Sequence, residues 1–266
     1  MAALDRPEID VIIHKLTNYN KRETTSQTAT SSNKKPIAIF MCGPTASGKS
    51  TIKQYIAKGN KLDSFVNLDQ DEVSKHFPEE SRDYVRKTTL HALLPRIFEL
   101  GQNVIIDRTC RDVTDTIASM KQADESGYYI ILAFSYIDKE KGLERLIKRN
   151  KKERKVSIEV YEDIYKDFEN RIIKRFFIQR KIPYNEIVLF DNSGKQVKQI
   201  LYKKGDKMRI STGKEEFLFY GTSLKDISIG LNKKGGRSIK RKYKKKTTQH
   251  KRSKHKRNKT KRYNKK

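Results

Sequence analysis

Ile37-Ala38-Ile39-Phe40-Met41-Cys42-Gly43-Pro44-Thr45-Ala46-Ser47-Gly48-Lys49-Ser50-Thr51 decides how the rest of the chain reads. The apolar run from Ile37 to Cys42, bounded by Pro36 and Gly43, has the form of a strand buried on both faces. Gly43 to Ser50 then matches G-x-x-x-x-G-K-[ST] in full, with a strand before it and a helix after it, the context that pattern requires. In such a loop Gly43 and Gly48 let backbone N–H groups turn inward on phosphates. Pro44, Thr45, Ala46 and Ser47 make the wall between them, and the helix opening through Thr51 adds its positive dipole end. Lys49 is expected to reach the β- and γ-phosphates, and the Ser50 hydroxyl to ligate Mg²⁺. The stretch therefore predicts a parallel α/β sheet and ATP with Mg²⁺ as cofactors.

Outward from this loop, strands alternate with helices. Phe65–Leu68, Asn103–Asp107, Tyr128–Tyr136 and Ile187–Phe190 read as further strands. Lys49–Lys58, Ser81–Leu100 (with Pro95 inside), Val113–Glu125, Lys139–Asn150 and a long Ile158–Arg180 read as helices. That alternation predicts a parallel kinase-like sheet of about five strands, with ligands at the strand C-terminal ends. The domain reads as residues 35–194. Before it, residues 1–34 hold a short docking helix and a polar linker. After it, residues 195–231 form an extension with a hairpin around Lys204-Gly205-Asp206-Lys207 and a further strand at Phe217–Tyr220.

Charge separates the remaining segment. The chain has 266 residues and a net charge of +28; residues 232–266 contain 19 Lys or Arg and no acid, which leaves +9 for the other 231 residues. A run of this kind repels itself and buries no core, so the tail is expected to be disordered. Phosphates of a nucleic acid are its favoured partner. A nuclear address, an anionic membrane surface or a contingent extension are the alternatives. Two cysteines imply no disulfide framework, and Cys42 reads as a small buried hydrophobe. With no signal-peptide pattern and no apolar run near ~18 residues, an intracellular protein, cytoplasmic or nuclear, is the expectation.

Carboxylates and arginines complete the expected site. Asp69 and Asp71 lie just past the second strand, one placed for the metal and one for a substrate hydroxyl. Asp71 fits a general base that accepts the hydroxyl proton, or else merely a cap of the next helix. Asp107 ends an apolar strand as a Walker B carboxylate does, and could hold Mg²⁺ through water. Arg111 would point into the same cleft. The basic stretch from Arg145 to Lys155 reads as a lid whose Arg149 and Arg154 close on the transferring phosphoryl group.

The order of these pieces resembles the zeta-toxin family of P-loop kinases, within the wider group that includes polynucleotide kinases. The likeness spans Lys35 to Gly194. It rests on Gly43–Thr51, Leu68-Asp69-Gln70-Asp71 with Pro78, Gly101 to Arg111, Gly127-Tyr128, Arg149 and Arg154-Lys155-Val156. It implies that Asp71 is the base on a sugar hydroxyl, that Arg111, Arg149 and Arg154 serve the phosphoryl group, and that Asn192 in Asp191-Asn192-Ser193-Gly194 contacts adenine. Two positions depart: His91 stands where the family has a glutamate that holds the sugar, and Asp107-Arg108-Thr109 replaces Glu-Gly-Thr. Both touch the acceptor side. The expected activity is transfer of the γ-phosphoryl group to a small-molecule hydroxyl such as that of a nucleotide sugar. A polynucleotide 5′-hydroxyl kinase, or a nucleic-acid-binding module without turnover, are the rivals. An antitoxin partner is not legible in the residues.

Overall fold

A computed structural model of the protein describes residues 10–13, 35–57, 65–75, 77, 79, 82–151, 156–179, 181–211 and 217–233. Strands run at Ile37–Cys42 (β1), Phe65–Asp69 (β2), Asn103–Arg108 (β3), Tyr129–Tyr136 (β4), Glu186–Asp191 (β5), Lys198–Lys204 (β6), Lys207–Ile210 (β7), Leu218–Phe219 (β8) and Thr222–Ser223 (β9). Helices run at Lys49–Ala57 (α1), Gln70–Ser74 (α2), Arg82–Glu99 (α3), Val113–Glu125 (α4), Lys139–Asn150 (α5), Ile158–Asp167 (α6) and Leu224–Lys233 (α7).

The main sheet has seven strands in the order β2-β3-β1-β4-β5-β6-β7. The first five are parallel; β6 and β7 add antiparallel beyond the expected five. β1 is central and apolar at every position because both its faces are covered. Ala38, Phe40 and Cys42 enter one core cluster, and Ile39 and Met41 the other. The chain passes to one side of β1 for β2 and β3 and to the other for β4. That reversal opens a crevice at the carboxyl ends of the strands, where α/β sheets take ligands.

The expected helix over 158–180 is present only as far as Asp167. Beyond it the backbone widens into π-helical turns at Phe168–Ile172 and Arg175–Gln179. These bury Phe168, Ile172, Ile173, Phe176 and Phe177, and set both Phe176 and Phe177 edge-on against Phe134 of β4. Helix α7 crosses this segment closely at Gly230, where a Cβ would lie 2.3 Å from the Phe177 carbonyl oxygen. At the N-terminus residues 10–13 are helical, with Ile12 and Ile13 buried and Asp10 paired to Arg96 of α3 at 2.7 Å.

One expectation is corrected. Cys42 and Cys110 form a disulfide, with Cα atoms 5.3 Å apart and a sequence separation of 68. Cys42 is buried as expected, but it is not a free thiol. The cause is topological: β1 and β3 are parallel neighbours with Cys42 level with Arg108. Cys110, in the left-handed region at φ 58°, folds back across the end of β1.

Candidate nucleotide and acceptor site

The phosphate loop sits where β1 ends and α1 begins. Ala46 and Gly48 both take left-handed backbone, φ 62° and 80°. At Gly48 no side chain is admissible, because a Cβ would lie 1.8 Å from Asn192 Nδ2. The loop is closed by Ser47 N–H on Pro44 O (3.2 Å) and by the first helical bonds of Thr51 and Ile52 onto Gly48 O. Lys49 Nζ donates to the carbonyls of Gly43 (3.0 Å) and Pro44 (3.2 Å), and lies 3.9 Å from Asp107. Burial holds this ammonium below the ordinary lysine value, against the opposing pull of Asp107 and Asp69. A phosphate brought to the loop adds a negative charge beside this ammonium and so favours its protonated form.

On the acceptor side Asp69 and Asp107 face each other across adjacent strands, level in register. Burial, and then Asp107, push the Asp69 carboxyl above its usual range. Asp69 is the cap of α2: its Oδ1 accepts from Asp71 N–H at 2.9 Å and from Glu72 N–H at 3.4 Å. Capping thus falls to Asp69, and the exposed Asp71 side chain one residue inside the helix lines the cavity. Asp107 is held by Lys53 Nζ at 3.2 Å, which also donates to Asn67 Oδ1 at 2.9 Å.

The cavity between these groups has a volume of about 1060 Å³. It gathers Thr45, Ala46, Gly48, Lys49, Ser50, Asp69, Asp71, Asp107 and Arg149. Val156, Val160 and Ile164 add apolar surface to the lining. A space of this size has room for a nucleotide and a second substrate. Asn192 is buried below the loop rather than on the cavity wall, donating to Ser47 O at 2.9 Å. Arg111 is exposed, pairs with Asp167 of α6, and is not among the residues that line the cavity. Arg154 lies outside the described residues. His91 is exposed, with Nε2 3.8 Å from Asp115, and Arg108 pairs with the same Asp115 at 2.7 Å.

Three contributors were not singled out from the sequence. Arg145 lines the cavity and donates to Asn192 O at 2.9 Å; it stands one turn before Arg149, a spacing that puts both on one helix face. Lys53 stands likewise one turn past Lys49. Ser135, whose Oγ donates to Ser47 O at 2.7 Å, left no signal, since its role depends on β4 lying beside β1.

The sequence model of the zeta toxin family matches residues 20–204. Among solved structures, a chain from the PezAT chromosomal toxin–antitoxin system of Streptococcus pneumoniae is 19% identical, covering 73% of this chain and 81% of its own at a TM-score of 0.53. A chain of the AvrRxo1-ORF1:AvrRxo1-ORF2 complex is 14% identical, covering 82% and 72% at 0.58. The same complex with ATP gives 13%, 87% and 70% at 0.53. At such identities the likeness is one of fold. No curated protein sequence matches the chain. The family match covers more than half the chain and includes the whole phosphate loop with its strand, its helix and the facing carboxylates, so the chain belongs to the zeta toxin family and is a P-loop kinase.

Proposed function

We propose that the protein transfers the γ-phosphoryl group of ATP to a hydroxyl of a small molecule such as a nucleotide sugar. The observation that supports this reading most is the convergence of Lys49, Ser50, Asp71 and Arg149 on one cavity. ATP phosphates lie along Gly43–Thr51, with Lys49 on the β- and γ-phosphates. Asp71 takes the proton of the acceptor hydroxyl. That oxygen bonds to the γ-phosphorus as the bridge to the β-phosphate breaks, giving ADP and the phosphorylated acceptor. Arg149, with Arg154 and Arg111 brought in from the lid and the loop after β3, neutralises the charge that builds on the moving group. Ser50, Asp69 and Asp107 offer hydroxyl and carboxylate oxygens, the donors Mg²⁺ takes beside phosphate oxygens, and Mg²⁺ held there supplies further neutralisation.

The test is label transfer from γ-labelled ATP to a panel of nucleotide sugars and, in parallel, to 5′-hydroxyl oligonucleotides. Label on a nucleotide sugar is the expected outcome. Label on oligonucleotides alone replaces this acceptor with a polynucleotide end. Nucleotide binding without transfer to either leaves the binding-module reading.

A further inference from the structure

The segment beyond the family match bears on the phosphate loop. Tyr220 lies at the turn of the β8–β9 hairpin, sixteen positions past the end of the matched residues 20–204. It is 1% exposed and holds a left-handed backbone, φ 48°, succeeded by Gly221 at φ 71°. A non-glycine residue is strained in that region, so the surroundings over-determine it. Those surroundings are aromatic: ring centroids of Tyr136 and Phe168 lie 4.9 Å away, Phe219 5.2 Å and Tyr165 5.3 Å.

The ring so fixed places its hydroxyl between the backbone of Ile137 and that of Ser135. Its hydroxyl donates to the Ser135 carbonyl at 2.7 Å, in the buried interior. Ser135 is fully buried, and its own hydroxyl donates to the Ser47 carbonyl at 2.7 Å. The Ser135 carbonyl also presses on the first glycine of the loop, 3.0 Å from where a Cβ on Gly43 would stand. Asn192 Nδ2 gives the Ser47 carbonyl a second donor at 2.9 Å. Two buried donors thus pin this carbonyl to the core side. In a planar trans peptide the N–H points opposite to the C=O, and the N–H of this peptide belongs to Gly48. Pinning Ser47 O inward therefore turns the Gly48 N–H outward, as a phosphate cradle requires.

We propose that Tyr220 is a positioning residue for the phosphate loop, acting through Ser135 on the Ser47–Gly48 peptide. This rests on the loop's being a nucleotide site, though not on which acceptor is phosphorylated. The C-terminal hairpin is then part of the nucleotide-binding apparatus, supplied from outside the matched family segment.

The test measures Mg·ADP binding by calorimetry on full-length protein, which needs neither turnover nor an acceptor. Tyr220→Phe keeps the ring and removes the hydroxyl; the dissociation constant should rise about fivefold, the size of one hydrogen bond. Ser135→Ala should weaken binding at least as much. The double variant should match Ser135→Ala alone, because the proposed route from the tyrosine to the Ser47–Gly48 peptide runs through the Ser135 hydroxyl, which that substitution already removes. The control is Tyr128→Phe, which strips a buried hydroxyl lying 2.9 Å and 2.8 Å from the carbonyls of Ile97 and Gln102. It should lower the melting temperature and leave ADP affinity unchanged. Wild-type affinity in Tyr220→Phe, or additive losses in the double variant, overturn the proposal. Equal weakening in Tyr128→Phe reduces it to general stability. A wild-type protein that binds no ADP overturns the reading of the site itself, and with it this role.

Discussion

Replacing Lys49 by alanine removes a buried ammonium whose hydrogen-bond acceptors are carbonyls of the phosphate loop. Phosphoryl transfer should fall to background while circular dichroism and melting stay near wild type, because the charge serves a transition state rather than the core. Near-normal turnover in the purified variant would remove the loop from the active site. Asp71→Asn makes a sharper division. With Asp69 holding the helix cap, the asparagine variant should keep ATP affinity and stability yet lose on the order of 10²-fold in turnover. A stability loss of ~1 kcal/mol with little kinetic effect would return Asp71 to a structural role. The residues of the loop were legible because their pattern is contiguous. Asp69 and Asp71 were legible as a pair but not in their division of labour, since which carboxylate turns back onto the helix depends on backbone angles. Arg111 shows the limit: its type and place after β3 are readable, whereas its partner Asp167 stands 56 positions away.

At the scale of elements, that same Asp167 ties the loop after β3 to helix α6. Its carboxylate accepts from Arg171 at 2.7 Å and 2.9 Å and pairs with Arg111. The Arg171 hydrogen bonds, with Arg111 second among its partners, hold its carboxyl below the ordinary value. A depressed carboxyl stabilises the fold above its unfolded pKa, near 4, and that contribution is lost as pH falls through the folded pKa. Asp167→Asn should therefore lower stability by roughly 1 kcal/mol at pH 7 and by much less near pH 3, as thermal melts at the two values would record. A deficit of equal size at both pH values would mean that packing, not charge, is involved. The five parallel strands could be read because each is an apolar run with turn residues at its ends. Their order could not, for nothing local in β1 says that β3 and β4 are its neighbours. Ser135 and the π-helical turns after Asp167 were hidden for the same reason, since Phe176 and Phe177 are accommodated by Phe134 rather than by a local pattern.

Across the whole molecule, the excess of positive charge sits past the last described helix. Among the described residues no helix is long and apolar enough to cross a membrane. Helix α7 runs to Lys233 and buries Leu231, so a truncation that respects it ends after Lys233. That shortened protein should still bind ATP and lose most affinity for DNA or RNA. In the intact protein the affinity should be indifferent to sequence and fall steeply with salt, with a log–log slope of about −5 on duplex DNA if six phosphates are engaged. Affinity that survives truncation would place nucleic acid on the kinase domain and favour an end-kinase reading.

The Cys42–Cys110 bridge makes the stretch between them a closed covalent ring. Gly43, Lys49, Ser50, Asp69, Asp71 and Asp107 all ride within it, while Arg145, Arg149 and Asn192 stand outside. A ring can be opened once without coming apart. Closing this loop is worth about 4 kcal/mol by loop entropy, and because the bond is covalent a protein cut once in that interval keeps both pieces tethered through it. With a protease site inserted between Lys58 and Ser64, the cleaved protein should run at its uncut size on a non-reducing gel and as two bands after reduction. Two bands without reductant would show that the cysteines carry free thiols in solution. One band would mean that the phosphate cradle and the facing carboxylates can be severed from each other along the chain and still be held together across it.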